Sequence, residues 1–265
     1  MKHVAVSEAH ANYLRRIRRD TRVVVLSRIA VLLGFLLLWE LGADLRWFDP
    51  FILSSPSRVI ATIVRLYADG SLWLHVGTTL LETVLGFLLG TILGALIAVL
   101  LWWMPKLNRI LDPYLVVLNA LPKIALGPVL IVWIGAGMAS IVVMGVLVSL
   151  VVTTVTVLNG FLAATDEKQL LMRTLGATKL QIFTKVVLPA GVPDLISALK
   201  ISVGMSWVGV IVGEYLVSKA GLGYLIVYGG QVFKLDLVMA SVTVLCVLAA
   251  LMYYAVAFLE KKVRQ

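Results

Sequence analysis

Six apolar runs, each long enough to cross a lipid bilayer, leave this chain few ways to fold. They cover residues 23–41, 76–103, 107–134, 140–161, 193–215 and 235–259. The hydrocarbon core of a bilayer is about 30 Å thick and takes about 20 helical residues to span. No water is available there to hydrogen-bond the backbone, and a helix satisfies its own N–H and C=O groups. The expected fold class is therefore all-α integral membrane, with about six transmembrane helices. Composition agrees: 61% of the 265 residues are hydrophobic and 14% are charged, against roughly a quarter charged in a soluble domain.

The net charge of +9 does not point to nucleic acid, because the basic residues gather at the ends of the apolar runs, as membrane topology requires. Six spans put both termini on one side. Lys and Arg on that side number fifteen, including Arg15, Arg16, Arg18, Arg19 and Arg22, against five on the other (Arg46, Arg58, Arg65, Lys219 and Lys234). Positive charge stays inside, so a multi-pass plasma-membrane protein with cytoplasmic N- and C-termini is expected. Residues 1–22 read as a basic cytoplasmic tail on anionic headgroups, ahead of a transmembrane domain over 23–265. The run after the tail is longer than a signal-peptide core, and no small-x-small cleavage site follows it, so it reads as a retained first span. The single cysteine, Cys246, lies in an apolar run and offers no disulfide or zinc spacing.

Within the spans, Gly86, Gly90 and Gly94 recur every four residues, and Ala98 continues the stripe. Such spacing lets helix backbones approach closely in lipid; the alternative is a smooth face on a solute path. The third run is broken by Pro113, Pro122 and Pro128, which predicts a bent helix near the middle of an assembly, since freed backbone groups must be covered by protein or water. Residues 57–67, between the first two spans, read as a short amphipathic helix on the outer interface.

The second half has one long polar interruption, DEKQLLMRTLGATKLQIFTKVVLP, residues 166–189. It predicts two short helices: Asp166 and Gln169 cap the first, Gly176 stops it, and Thr178 with Gln181 forms a capping box for the second. Pro189 is expected to end the second helix, and Pro193 to sit in the first turn of the fifth span. Leu170, Leu171 and Leu175 on one helix, and Leu180, Phe183 and Val187 on the other, need a partner surface.

Gly176, Val186, Leu188 and Pro189 fall at the spacing of the G…(I/V)-x-L-P half of the EAA signature. With LGATKLQIFTKVVLPAGVPDLISALKISVGMSWVGVIVGEY and GLGYLI, the chain from about Trp73 onward resembles the permease subunits of bacterial ABC importers, in the nitrate/sulfonate/taurine branch. Leu170, Leu171 and Met172 occupy the Glu-Ala-Ala positions, so the acidic member is missing. The resemblance implies a type I importer-like fold with a cytoplasmic coupling loop over 162–192. It implies a role for Leu170, Leu171, Arg173, Leu175, Gly176, Ala177 and Thr178 in contacting an ATPase. It also implies that two copies of the chain surround the path in the bacterial inner membrane. Two ABC ATPase subunits would carry ATP and Mg, and an extracytoplasmic binding protein would deliver a small solute such as a sulfonate, taurine or nitrate. An amphipathic hairpin lying on lipid is the other reading of the stretch, weakened by its mixed charges.

No catalytic, metal-ligating or phosphate-binding motif is present, so ATP hydrolysis is not expected on this chain and no cofactor is expected to bind it. Lys123 and Lys200 lie within spans, where ionisable groups mark solute paths or snorkel to headgroups. Ser202, Ser206 and Trp207 either line the path or pack. Glu214 closes the fifth span, pairing with Lys219 or gating the outer mouth. A stand-alone channel, an ion-coupled carrier or a membrane enzyme would need intramembrane carboxylates or a catalytic cluster, and Glu40, Glu82 and Glu214 all fall near span ends.

Overall fold

The computed structural model describes residues 8–164 and 166–263, and among these the only regular elements are helices. The chain divides into two compact units, one up to Thr62 and one from Ile63 onward.

In the first unit α1 (Glu8–Asp44) is followed by α2 (Pro50–Leu53) and the start of α3 (Pro56–Ala68). The basic segment is not a separate tail from Glu8 on: it is the first part of α1. No Gly or Pro stands between Glu8 and Gly34 to stop the helix. Residues 1–7 of the expected tail lie outside the described residues. The span within α1 buries nothing inside its unit, as suits a lipid-facing helix. Glu40 accepts hydrogen bonds from the Ser57 N–H at 2.9 Å and the Ser57 hydroxyl at 2.6 Å. It thereby satisfies a free donor at the start of α3.

The second unit runs α4 (Ser71–Trp103), α5 (Pro105–Ala120), a 3-10 turn at Lys123–Leu126, α6 (Gly127–Ile134), α7 (Met138–Leu162), α8 (Asp166–Thr174), α9 (Lys179–Ile182), a π turn at Phe183–Val187, α10 (Leu188–Val217), α11 (Leu222–Gln231) and α12 (Leu235–Val263). Its centre is α7, flanked by α4 and α10. Gly86 meets Gly145, Gly90 meets Ser149 and Gly94 meets Thr153, a constant offset that makes α4 and α7 parallel. Gly160 meets Asp194, Thr153 meets Ser202, Gly145 meets Gly209 and Ile141 meets Gly213, so α7 and α10 are antiparallel. Both seams are built from small residues, which bring backbones together where apolar burial gives no advantage over lipid. Thr154 donates to the Gly94 carbonyl at 3.2 Å and ties α4 to α7 directly.

Because α4 and α7 are parallel, the chain between them must return across the bilayer. It does so in α5 and α6, which meet at an 86° bend. The bend falls at Leu121–Pro122, where extended backbone precedes proline as ring sterics require. With five unbroken spans, this broken one gives six crossings.

The fifth crossing differs from the sequence expectation. Pro189 does not end a helix, and Pro193 is not in a first turn. The backbone is helical without interruption from Lys179 to Val217, with Pro189 near the start of α10 and Pro193 inside it. The π turn explains this. Its wider i→i+5 geometry joins the Leu188 N–H to the Phe183 carbonyl and passes the proline ring without the clash an α-helix would impose. The polar loop is consequently short, reaching only from Ala163 to Thr178 around α8.

Candidate functional site: the elbow at α8 and α9

The turn between α8 and α9 is fixed by local sequence. Gly176 has φ +77°, its N–H binds the Arg173 carbonyl at 3.0 Å, and the Ala177 N–H binds the Met172 carbonyl at 2.9 Å. This pair of bonds is the Schellman stop, whose left-handed residue is best supplied by glycine. The Gln181 N–H donates to Thr178 Oγ1 at 3.3 Å, and the Thr178 N–H to Gln181 Oε1 at 2.8 Å, completing the expected capping box. The cap expected of Asp166 rests on a side chain outside the described residues. Gln169 Nε2 instead donates to the Ala164 carbonyl at 3.0 Å.

The elbow is seated on the ends of α4 and α7. Ile182, Phe183 and Val187 are buried against Leu101, Trp102 and Phe161, with Met172 and Ala177 packed on the same cluster. The Phe183 ring lies tilted at 4.9 Å from Trp102 and edge-on at 5.5 Å from Phe161. Lys179 Nζ donates to the Trp103 carbonyl at 2.5 Å and lies 5.4 Å from the Trp103 ring centroid, so its charge is held by a helix C-terminus and an aromatic face. Beneath α8 a cleft of about 400 Å³ is lined by Trp102, Asn108, Gln169, Arg173 and Lys179.

What the elbow leaves uncovered is equally definite. Leu170, Leu171 and Leu175 are 61%, 60% and 74% exposed, and Leu180 is 59% exposed. Arg173 and Thr178 are exposed beside them. Among the described residues this leucine row stays uncovered, while the segment after it packs through Ile182 and Phe183 on α4 and α7 and continues as helix into α10.

Ser202 and Ser206, which the sequence offered to a solute path or to packing, are fully buried within this chain, and Ser202 Oγ lies 2.5 Å from Thr153 Oγ1. Trp207 is buried with Phe87, Val203 and Val256. Lys200 forms an ion pair with Glu260 of α12. Lys123 is half-buried at the broken span and donates to the Asn119 carbonyl at 3.2 Å. Glu214 is 1% exposed and accepts the Gly223 N–H at 2.6 Å; Lys219 is not among its partners in the described residues. Glu82 is 2% exposed and lies against Glu214. Each of these two carboxyls reads from sequence as lying near a span end, and the small-residue register that brings α4 and α10 against α7 puts the two side by side.

The model of a family described as binding-protein-dependent transport system inner membrane component matches residues 86–265. A probable ABC transporter permease protein of Haemophilus influenzae is 32% identical over 239 residues, which is 90% of this chain and 96% of that one. The taurine transport system permease protein TauC of Escherichia coli is 24% identical over 91% of this chain and 90% of its own. Among solved structures, the inward-facing MetNI methionine ABC transporter aligns with a TM-score of 0.63 at 23% identity, covering 72% of this chain and 97% of that one. That likeness shows a shared fold. The chain belongs to the binding-protein-dependent transport family: it is the inner-membrane permease subunit of an ABC importer, whose ATPase is a separate chain.

Proposed function

We propose that two copies of this chain enclose the path by which a small organic anion of the sulfonate or taurine kind enters a bacterial cell. The α8–α9 elbow docks on the cytoplasmic ATPase that holds ATP and Mg, and a binding protein delivers the solute from outside. The observation that carries this reading is the pinned, exposed leucine row of α8: a helix fixed at both ends and joined rigidly to α10 is what a force-transmitting contact needs. Leu170, Leu171, Leu175 and Arg173 form the contact, Gly176 and Thr178 hold its angle, and Ala177 seats it on the bundle.

The orientation follows from charge. The end carrying α8 is the richer in Lys and Arg, and this end faces the cytoplasm, with the termini. The solute class rests on relatives named for taurine and aliphatic sulfonates and on Lys123, which, unlike Lys200, pairs with no carboxylate among the described residues. Its place at the α5–α6 break supports this reading, since irregular backbone at membrane depth is tolerated where protein or a wet cavity covers it.

The test is uptake of labelled taurine into proteoliposomes containing this chain, its ATPase and its binding protein. ATP-dependent accumulation that falls at least tenfold in Lys123→Gln is expected. Accumulation of a neutral solute with no response to taurine would overturn the anion reading.

A further inference from the structure

The end of the second unit opposite α8 carries a second built device, formed from α4, α10 and the first turn of α11. The first four N–H groups of a helix have no partner inside it. In α11 the N-cap is Gly221, which has no side chain to supply one, yet three of these donors are bound by side chains of α4 and α10. The Gly221 N–H donates to His75 Nδ1 at 3.0 Å, and the Leu222 N–H to Thr79 Oγ1 at 2.8 Å. The Gly223 N–H donates to Glu214 Oε2 at 2.6 Å. Thr79 and Glu82 lie beside the same carboxyl. The His75 ring stacks on Tyr224 at 6.0 Å with 17° between planes.

Sequence and geometry interlock here. A Cβ on Gly221 would strike the Glu214 carboxyl, and one on Gly223 would stand 2.8 Å from Glu214 Oε2. Gly221 also has φ +115°, where other residues are strained. The Gly-Leu-Gly phrase is thus the imprint of a carboxylate pressed against the helix start. Its acceptors come from two spans, so α11 cannot leave without uncovering three buried donors and a buried carboxylate at once, each costly to strand away from water.

We infer that His75, Thr79 and Glu214 are positioning residues of the transport cycle: they fasten α11 to α4 and α10 in every state, so that this end of the path opens by movement of the three helices as one body. On this account α11 is not a lid that swings free. The inference rests on the chain being a permease subunit and is independent of the solute and of the orientation.

The test is amide hydrogen exchange on the chain assembled with its ATPase in nanodiscs, without nucleotide and after trapping with ATP and vanadate, read on the peptide 219–226. In the native protein the amides of Gly221 to Gly223 should exchange equally slowly, within about twofold, in the two states. Thr79→Val keeps the shape and removes the acceptor, and should speed exchange at Leu222 about tenfold in both states, the usual effect of losing one buried bond. Thr79→Ser restores the acceptor and should restore protection. Loss of protection in the native trapped state would overturn the inference, since it shows α11 released during the cycle. Equal exchange in Thr79→Val and the native protein would also overturn it. If the valine variant fails to assemble, the native two-state comparison alone decides.

Discussion

Replacing Gly209 by Ala on α10 should push α7 and α10 apart. The new Cβ would stand 2.7 Å from Gly145 Cα, 2.8 Å from the Met144 carbonyl oxygen and 3.0 Å from the Gly145 nitrogen. All three are main-chain atoms, so no side chain can swing away. Regaining ordinary contact at about 3.5–4.0 Å requires a helix shift on the order of 1 Å, and overpacking of this kind costs about 1–3 kcal/mol. Because only main chain is met, the cost falls in the upper part of that range, about 2–3 kcal/mol; replacing a helical glycine by Ala returns roughly 1 kcal/mol, so the net loss is about 1–2 kcal/mol. Gly204, five residues earlier on the same helix, has nothing within 4 Å of its virtual Cβ. Gly204→Ala should therefore keep only the gain, about 1 kcal/mol. At roughly 2–4 °C per kcal/mol for a chain of this size, the two variants should differ in unfolding midpoint by about 5–10 °C, with the native protein between them. The assay is thermal unfolding of the purified chain in detergent, followed by tryptophan fluorescence. If Gly209→Ala unfolds at or above the native midpoint, the close α7–α10 seam is not as described.

Two further outcomes are expected. Thr178→Ala removes the cap of α9 and should cost about 1 kcal/mol, seen as roughly fivefold faster amide exchange at Gln181 with α10 unaffected; unchanged exchange would mean the capping box does not hold the elbow. Lys200→Met and Glu260→Gln should each lower the unfolding midpoint, while the double variant should lose less than their sum, because the second change removes a charge the first left unpaired; additive losses would show that the pair is not coupled.

How much of this was readable without coordinates depended on the range of the interactions. The Gly176 stop and the Thr178–Gln181 box involve residues within five positions of one another, so sequence spacing alone specifies them. The six crossings and the small-residue stripe on α4 were equally legible, since both are periodic patterns. Pro189 and Pro193 misled because a proline reads as a stop unless a π turn precedes it, and that turn depends on Phe183 and Val187 being buried against α4 and α7. Ser202, Ser206 and Trp207 could be read from sequence only as lining the path or packing. Their positions between helices are set by the register of α7 against α10, which no single stretch of sequence contains. Glu214 is legible as the close of the fifth span, but His75 and Thr79, more than 140 residues from Gly221 and Leu222, supply the contacts that complete the start of α11.

The central claim is that the leucine row of α8 meets the ATPase on the cytoplasmic side. The most direct measurement places a single cysteine at Leu171, in a chain where Cys246 is replaced by Ser, and oxidises the assembled complex against cysteines placed along the ATPase surface. A disulfide-linked product, together with protection of the Leu171→Cys thiol from a membrane-impermeant reagent added outside sealed cells, is the predicted result. Labelling from outside, or a thiol that reacts only with lipid-soluble reagents and never with the ATPase, would contradict the account.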